Sequence, residues 1–197
     1  MSQLKLLHSG GNGVILSAPA SNPASDRTLT LPGDANSTVD TLNRAGNILQ
    51  VVEASTTTTV TNTTVTMADT NLSGTITPSS SSNKILVIVQ QQMFFASANS
   101  GTGAGLNLLR GSTTIFAGAR NSTGSYDQFI SAGNVSSMNH HFTKVIHFLD
   151  SPNTTSATTY KTQFALYQAS TSGSALCQNT SSPQNATSFI FLMEVAA

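Results

Sequence analysis

Lys84-Ile85-Leu86-Val87-Ile88-Val89-Gln90-Gln91-Gln92-Met93-Phe94-Phe95 is the longest stretch of the chain with a strong strand signal. In a pleated strand, successive side chains point to opposite faces. Ile85, Val87 and Val89 therefore fall on one side, Leu86 and Ile88 on the other. Both sides are apolar, which predicts a strand at the centre of a sheet, covered on both faces.

Working outward, the same β character continues in both directions. Towards the N-terminus, 48–54 reads as a strand, and 56–67 is dominated by Thr and Val, which favour a pleated, half-buried surface. Residues 71–77 form a further strand, stopped by Pro78 and the serine-rich loop that follows it. Towards the C-terminus, Gly101, Gly103 and Gly105 make a turn into 106–110, and Gly111-Ser112 is a two-residue hairpin signal before 113–117. Residues 118–137 read as loop. A long strand over 139–149 ends in the turn Asp150-Ser151-Pro152-Asn153. Over 160–168, Tyr160, Thr162, Phe164 and Leu166 share a face. Residues 170–186 are polar loop with a short strand near 175–178, and 187–196 puts Phe189, Phe191, Met193 and Val195 on one face. Short strands at regular spacing with no long helix predict an all-β fold, a β-sandwich or jelly-roll-like domain over 47–197.

Residues 1–46 differ. Pro19, Pro23 and Pro32 forbid a helix and keep any strand short. A single helical turn over 40–45, closed by Gly46, is expected there. The segment lacks the apolar material for a core, which predicts an extended arm ordered by neighbouring copies or a docking surface. Leu4, Leu6, Val14 and Leu16 are its candidate anchoring residues. Its first apolar stretch is interrupted by Ser9-Gly10-Gly11-Asn12-Gly13 before a signal-peptide core could form, so synthesis in a cytoplasm is expected.

Composition narrows the function classes. Only 8% of residues are charged, eight of each sign, against about 25% in an ordinary soluble domain. Ser, Thr and Asn supply 72 of the 197 residues instead. Zero net charge excludes an electrostatic nucleic-acid footprint and a polybasic membrane patch. The longest apolar runs, 85–89 and 189–193, are far too short for a membrane-spanning helix. Hydrophobic residues at 38% without net charge do not match disorder. A surface of hydroxyls and amides lacks the like-charge repulsion that keeps molecules apart, and so suits an assembly. Lys and Arg are absent between Arg44 and Lys84 and after Lys161, which removes trypsin-type cleavage sites there.

Four phrases carry a resemblance: Ser73-Gly74-Thr75-Ile76-Thr77-Pro78 leading to Asn83-Lys84-Ile85-Leu86-Val87; Leu106-Asn107-Leu108-Leu109-Arg110-Gly111-Ser112-Thr113; Leu149-Asp150-Ser151-Pro152 running on to Tyr160-Lys161-Thr162-Gln163-Phe164; and Met193-Glu194-Val195-Ala196. In this order they resemble the C-terminal domain of tail-fibre-like virion proteins of marine and cyanobacterial tailed bacteriophages. Leu16-Ser17-Ala18-Pro19 and Arg27-Thr28-Leu29-Thr30-Leu31-Pro32 are similar to a linker repeat upstream in such fibres. The resemblance implies a homotrimeric virion protein, made in the bacterial host cytoplasm and touching other virion proteins. The leading expectation is a tail-fibre or appendage component contributing to host attachment. The alternative is a trimeric capsid decoration (cement) protein, which the short length favours. A lectin-like cellular module would be expected to bring a signal peptide or disulfides. A host glycan or protein receptor would meet loops held by the scaffold, at 97–105, 118–128 and 169–186. Asn99, Thr102, Asn121 and Tyr126 are the candidate contacts; Tyr167 is a second aromatic to follow there, with core packing its favoured role.

No catalytic residue, cofactor or metal is expected. Cys177 is alone and reads as a small buried hydrophobe. His140 and His141 point to opposite faces. His141 and His147 share a face but lie about 20 Å apart at the usual rise per residue. One chain cannot join that pair around an ion; only a ring on a trimer axis could, and His140-His141 departs from the His-x-His phrase of phage fibre tips. No G-x-S-x-G elbow surrounds Ser112, and the eight acids are scattered. Gly101, Gly103 and Gly105 precede a strand, where phosphate cradling needs a helix. The Asn-x-Ser/Thr triplets at Asn62, Asn121 and Asn185 follow from composition.

Overall fold

In the computed structural model, the described residues are 3–7, 10–11, 13–17, 44–97, 102–117, 129–130, 138–166, 173–177 and 186–197. The chain divides into two units, Met1–Asp40 and Thr41–Ala197. In the first, β1 (Gln3–Leu7) and β2 (Gly13–Ser17) pair as an antiparallel hairpin.

Among the described residues, the regular elements of the second unit are all strands: β3 (Ile48–Thr56), β4 (Val60–Asn62), β5 (Ala68–Ile76), β6 (Lys84–Ser97), β7 (Thr102–Arg110), β8 (Thr113–Ala117), β9 (Phe129–Ile130), β10 (Met138–Asp150), β11 (Thr158–Leu166), β12 (Gly173–Cys177) and β13 (Ser188–Val195). One sheet runs β3-β13-β6-β12-β4, with β10 on the other edge of β6. The second runs β5-β11-β7-β8, with β9 beside the start of β7. Every pairing is antiparallel. The all-β sandwich read from the sequence is the fold observed.

β6 occupies the central position its apolar run demands. β10 pairs with it from Ile85 to Ser97, and β13 and β12 lie end to end along its opposite edge. Ile85, Val87 and Val89 are fully buried and join Leu72, Ile76, Leu106, Leu108, Ile146, Tyr160, Phe164, Leu166, Ile190 and Leu192 in one core between the sheets. Gly74 lies on the inner side of β5, where a Cβ would come within 3.2 Å of Leu192 Cδ1. Its missing side chain allows β5 to approach β13 closely.

The structure corrects four local readings. Leu86 and Ile88 are only half-buried, so the second face of β6 is open in the single chain rather than covered. The strand expected over 56–67 shrinks to Val60–Asn62. Asn62 is the cause: its Nδ2 donates to Thr66 O and Phe164 O, while its Oδ1 accepts from Thr64 N and Oγ1. Those bonds fold 62–66 into a compact turn held by Leu166 N donating to Thr64 O. The glycines at 103 and 105 lie within β7, where ladder pairing to β9 and β11 holds the backbone extended. Finally, 44–47 forms a β-turn, Asn47 N donating to Arg44 O, with Gly46 in its third position at φ +88°, a conformation that glycine adopts freely. Most of the helical turn expected over 40–45 lies outside the described residues.

The hairpin at Gly111-Ser112 is present, with Gly111 at φ +57° joining β7 to β8.

Candidate functional site

Three polar centres and one open face stand out in the second unit. At one end of the sandwich, Glu194 points inward from β13 and is fully buried. Its carboxylate accepts from Asn83 Nδ2, Ser79 N and Ser79 Oγ, each at 2.7 Å, and from Gln50 Nε2 at 2.6 Å. Burial works against its charged form, but the bonds from Asn83, Gln50 and Ser79 outweigh it and hold the carboxyl at about 2. Beside it, Leu49, Ser79, Ser80, Ser82, Asn83, Ala196 and Ala197 line a shallow cleft of about 320 Å³.

At the end of β10, Asp150 accepts two bonds from Arg110, at 3.0 and 2.8 Å, and one from the Tyr160 hydroxyl at 2.7 Å. Burial, reinforced by the neighbouring carboxylate, pushes the Tyr160 phenol well above its ordinary range. On the outer side of the other sheet, β5 carries a bulge opposite Thr162, with Asn71 at φ +64°. Next to it Asp69 accepts from Lys161 Nζ at 2.8 Å and Gln163 Nε2 at 2.7 Å. The Lys161 bond chiefly holds the Asp69 carboxyl below its usual value.

Each of these carboxylates is met by donors from its own chain, and each centre joins separate segments of the fold. A fourth polar element lies inside the core: the Thr70 and Thr162 hydroxyls bond each other, Thr162 donates to Gln91 Oε1, and Gln91 Nε2 donates to Ser188 Oγ. This chain of bonds ties β5 and β11 to β6 and β13 through the middle of the sandwich. Among the described residues no cluster of His, Cys, Asp and Glu could hold a metal ion.

The open face is the outward side of the six-stranded sheet. Cross-strand register arranges it in rows: Val51, Met193, Leu86, Leu149; then Glu53, Phe191, Ile88, His147; then Ser55, Phe189, Gln90, Val145. Gln92 lies beside Thr143, and Phe94 packs on His141 with ring centroids 4.6 Å apart. Phe189 and Phe191 stack at 6.3 Å. Val51, Val145 and Leu149 are 56%, 47% and 51% exposed.

The residues singled out from the sequence fall as follows. Asn99, Asn121, Tyr126 and Tyr167 lie outside the described residues. Thr102 opens β7, paired with Ile130, and is not in the loop expected over 97–105. Leu4 stands opposite Leu16, and Leu6 opposite Val14, so the four anchoring candidates form two cross-strand pairs of one hairpin. His141 and His147 both sit on the outward side of β10, and His140 pairs in register with Phe95. Sequence reasoning missed the buried Glu194 and the Thr70–Thr162–Gln91–Ser188 chain. Their only sequence signal was polar residues at inward positions of otherwise apolar strands.

No protein-family model matches the chain, and no curated protein matches it significantly. Among solved structures, the chain is similar to infectious bursal disease virus Gx strain, at 14% identity and TM-score 0.33, with 94% of this chain and 49% of that one covered. It is similar also to the VP2 subviral particle of that virus, at 16% identity and TM-score 0.34, with 95% and 48% covered. The chain thus spans about half the length of these structures. Likeness at this level assigns neither fold nor partner to this chain.

Proposed function

We propose that this protein is a structural component of a bacteriophage particle, a tail-fibre or appendage subunit that contributes to host attachment. The observation that carries the reading is the open apolar face on a chain with so little charge. Among the described residues the buried carboxylates of Asp150 and Glu194 are met internally while Val51, Val145 and Leu149 stand in solvent, which supports a surface that other protein covers. The ordered tail-fibre-like phrases support the same class. The hairpin carrying Leu4, Leu6, Val14 and Leu16 is the anchoring segment, the subunit is a homotrimer, and the region holding Asn121 and Tyr126 meets the receptor.

Immunogold labelling and quantitative mass spectrometry of purified particles test this. Label on the tail at a few dozen copies or fewer is expected. Label over the shell at hundreds of copies replaces the appendage by a capsid decoration protein. Absence from purified particles overturns both.

A further inference from the structure

We infer that copies of this chain pack against one another through the outward face of the six-stranded sheet, around an axis parallel to its strands. In that packing Glu53 of each copy meets His147 of the next. The inference deepens the proposed role by naming the surface and partner of its assembly.

The face is large enough. It is four strands wide, β3, β13, β6 and β10 as far as Gln90 and β4, β12, β6 and β10 from Met93 onward, which at about 4.8 Å spacing gives a width near 19 Å. From Leu86 to Phe94 it runs about 26 Å at the usual strand rise. That is roughly 500 Å² per copy before side-chain relief, or about 1,000 Å² for two faces together, the level a specific interface has to reach. Its centre is apolar, with Leu86, Ile88, Phe189, Phe191 and Met193 half-buried. Of the large apolar side chains left exposed among the described residues (Ile48, Val51, Val145 and Leu149), the last three lie on this face.

The polar groups at its margins decide the occupant. Glu53 stands on β3 at one edge and His147 on β10 at the other, in the same cross-strand row with Phe191 and Ile88 between them. Within one chain they are about 14 Å apart, three strand spacings, and cannot touch. An axis parallel to the strands keeps every row at its own level. It therefore carries the acidic margin of one copy to the imidazole margin of the next. A single surface that offers both halves of a hydrogen-bonded pair at matching height is complementary to itself.

Two geometries satisfy this. Two faces stack flat at the usual sheet separation of about 10 Å. Three faces can instead close a triangular prism, with Glu53 of one copy and His147 of the next meeting at each corner. Either arrangement places Phe191 and Ile88 in a shared apolar centre.

Sedimentation and light scattering of the full chain, read with charge-reversed variants, test the inference. The wild type is expected to be a dimer or trimer at micromolar concentration. Glu53→Lys and His147→Glu, each on an exposed edge, should each raise the midpoint concentration for dissociation about tenfold or more. The double variant Glu53→Lys/His147→Glu should restore assembly, and no contact within one chain can produce that rescue. Circular dichroism should show all three variants folded. A monomeric wild type, single variants that assemble normally, or a double variant without rescue overturns the inference. Either of the last two results means that another surface holds the copies together. A monomer that still enters particles defeats this packing and leaves the proposed role standing; an assembled chain absent from particles does the reverse.

Discussion

Asn83 and Glu194 stand 111 positions apart in the chain, yet the Asn83 amide donates to the Glu194 carboxylate at 2.7 Å. The bond fastens the loop before β6 to the last strand of the same sheet. Gln50, on β3, donates to the other carboxylate oxygen, so a single buried anion gathers three separate segments.

This anion should dominate acid sensitivity. The Glu194 carboxyl ordinarily titrates at 4.5 and is held at about 2 in the fold. A depressed folded value means stability that is fully present above 4.5 and lost as pH falls towards 2. The contribution is on the order of 3 kcal/mol. Urea unfolding at pH 7, 5 and 3 should show that loss below pH 4.5. Glu194→Gln, which turns an acceptor into a donor among donors, should lower stability at pH 7 by about 2–4 kcal/mol and flatten the acid limb.

At the alkaline end the group to follow is Tyr160. Its phenol is raised above the ordinary 10.0, so the stability it confers is held below that value and fades as pH climbs beyond it. Difference absorbance between wild type and Tyr160→Phe should therefore show Tyr160 ionising only as the fold is lost. At neutral pH the Phe variant leaves one Asp150 lone pair unmet and should cost about 1–2 kcal/mol by chemical denaturation.

Val87→Asp should abolish folding. Val87 is fully buried in the central strand, among apolar neighbours that offer a carboxylate no partner. The expected cost is several kcal/mol, a large part of the total stability of a small domain. Native yield and a cooperative melt, both absent in the variant, are the readouts.

Ser188→Ala should cost far more than its size suggests. The Ser188 hydroxyl accepts from Gln91 Nε2 and from Gln92 N, and its loss strands both donors in the core. About 2–4 kcal/mol is expected by thermal or urea unfolding. Thr75→Ala is the control, because the Thr75–Thr159 hydroxyl pair is exposed and should be worth less than about 0.5 kcal/mol.

Deleting residues 1–40 should leave a β-rich domain that melts cooperatively but no longer enters particles. Cutting after Gly46 also removes the bond from Gly46 N to Ala196 O and should lower stability by about a further 1 kcal/mol. Circular dichroism melts of the two truncations, alongside incorporation assays, separate folding from docking.

The long strands were legible because β-branched and aromatic residues cluster where a sandwich needs them: β3, β5, β6, β10, β11 and β13 all lie where composition put them. What stayed hidden depends on partners far off in the chain. Thr70, Thr162 and Ser188 look like the many surface hydroxyls around them, and only the meeting of four strands makes them a core network. Asn62 shortened a convincing Thr/Val strand because its amide finds Phe164 O, about a hundred positions away. The open side of β6 was misjudged for a related reason. Apolar residues at Leu86 and Ile88 show that a surface wants covering, and nothing local says whether the cover belongs to the same chain.

The pairing order along β6 also sets a clock. Among the described residues its partners begin at residue 138 and end at 195, and β3 pairs only with β13. At roughly 5–20 residues per second of synthesis, about a hundred residues must emerge after β6 before its last neighbour exists, a wait of some 5–20 s. Throughout that interval the most apolar strand of the protein has unsatisfied edges, the condition in which chains stick to one another. The sandwich therefore cannot be completed before β13 has emerged, and until then the edges of β6 have to be kept from other chains.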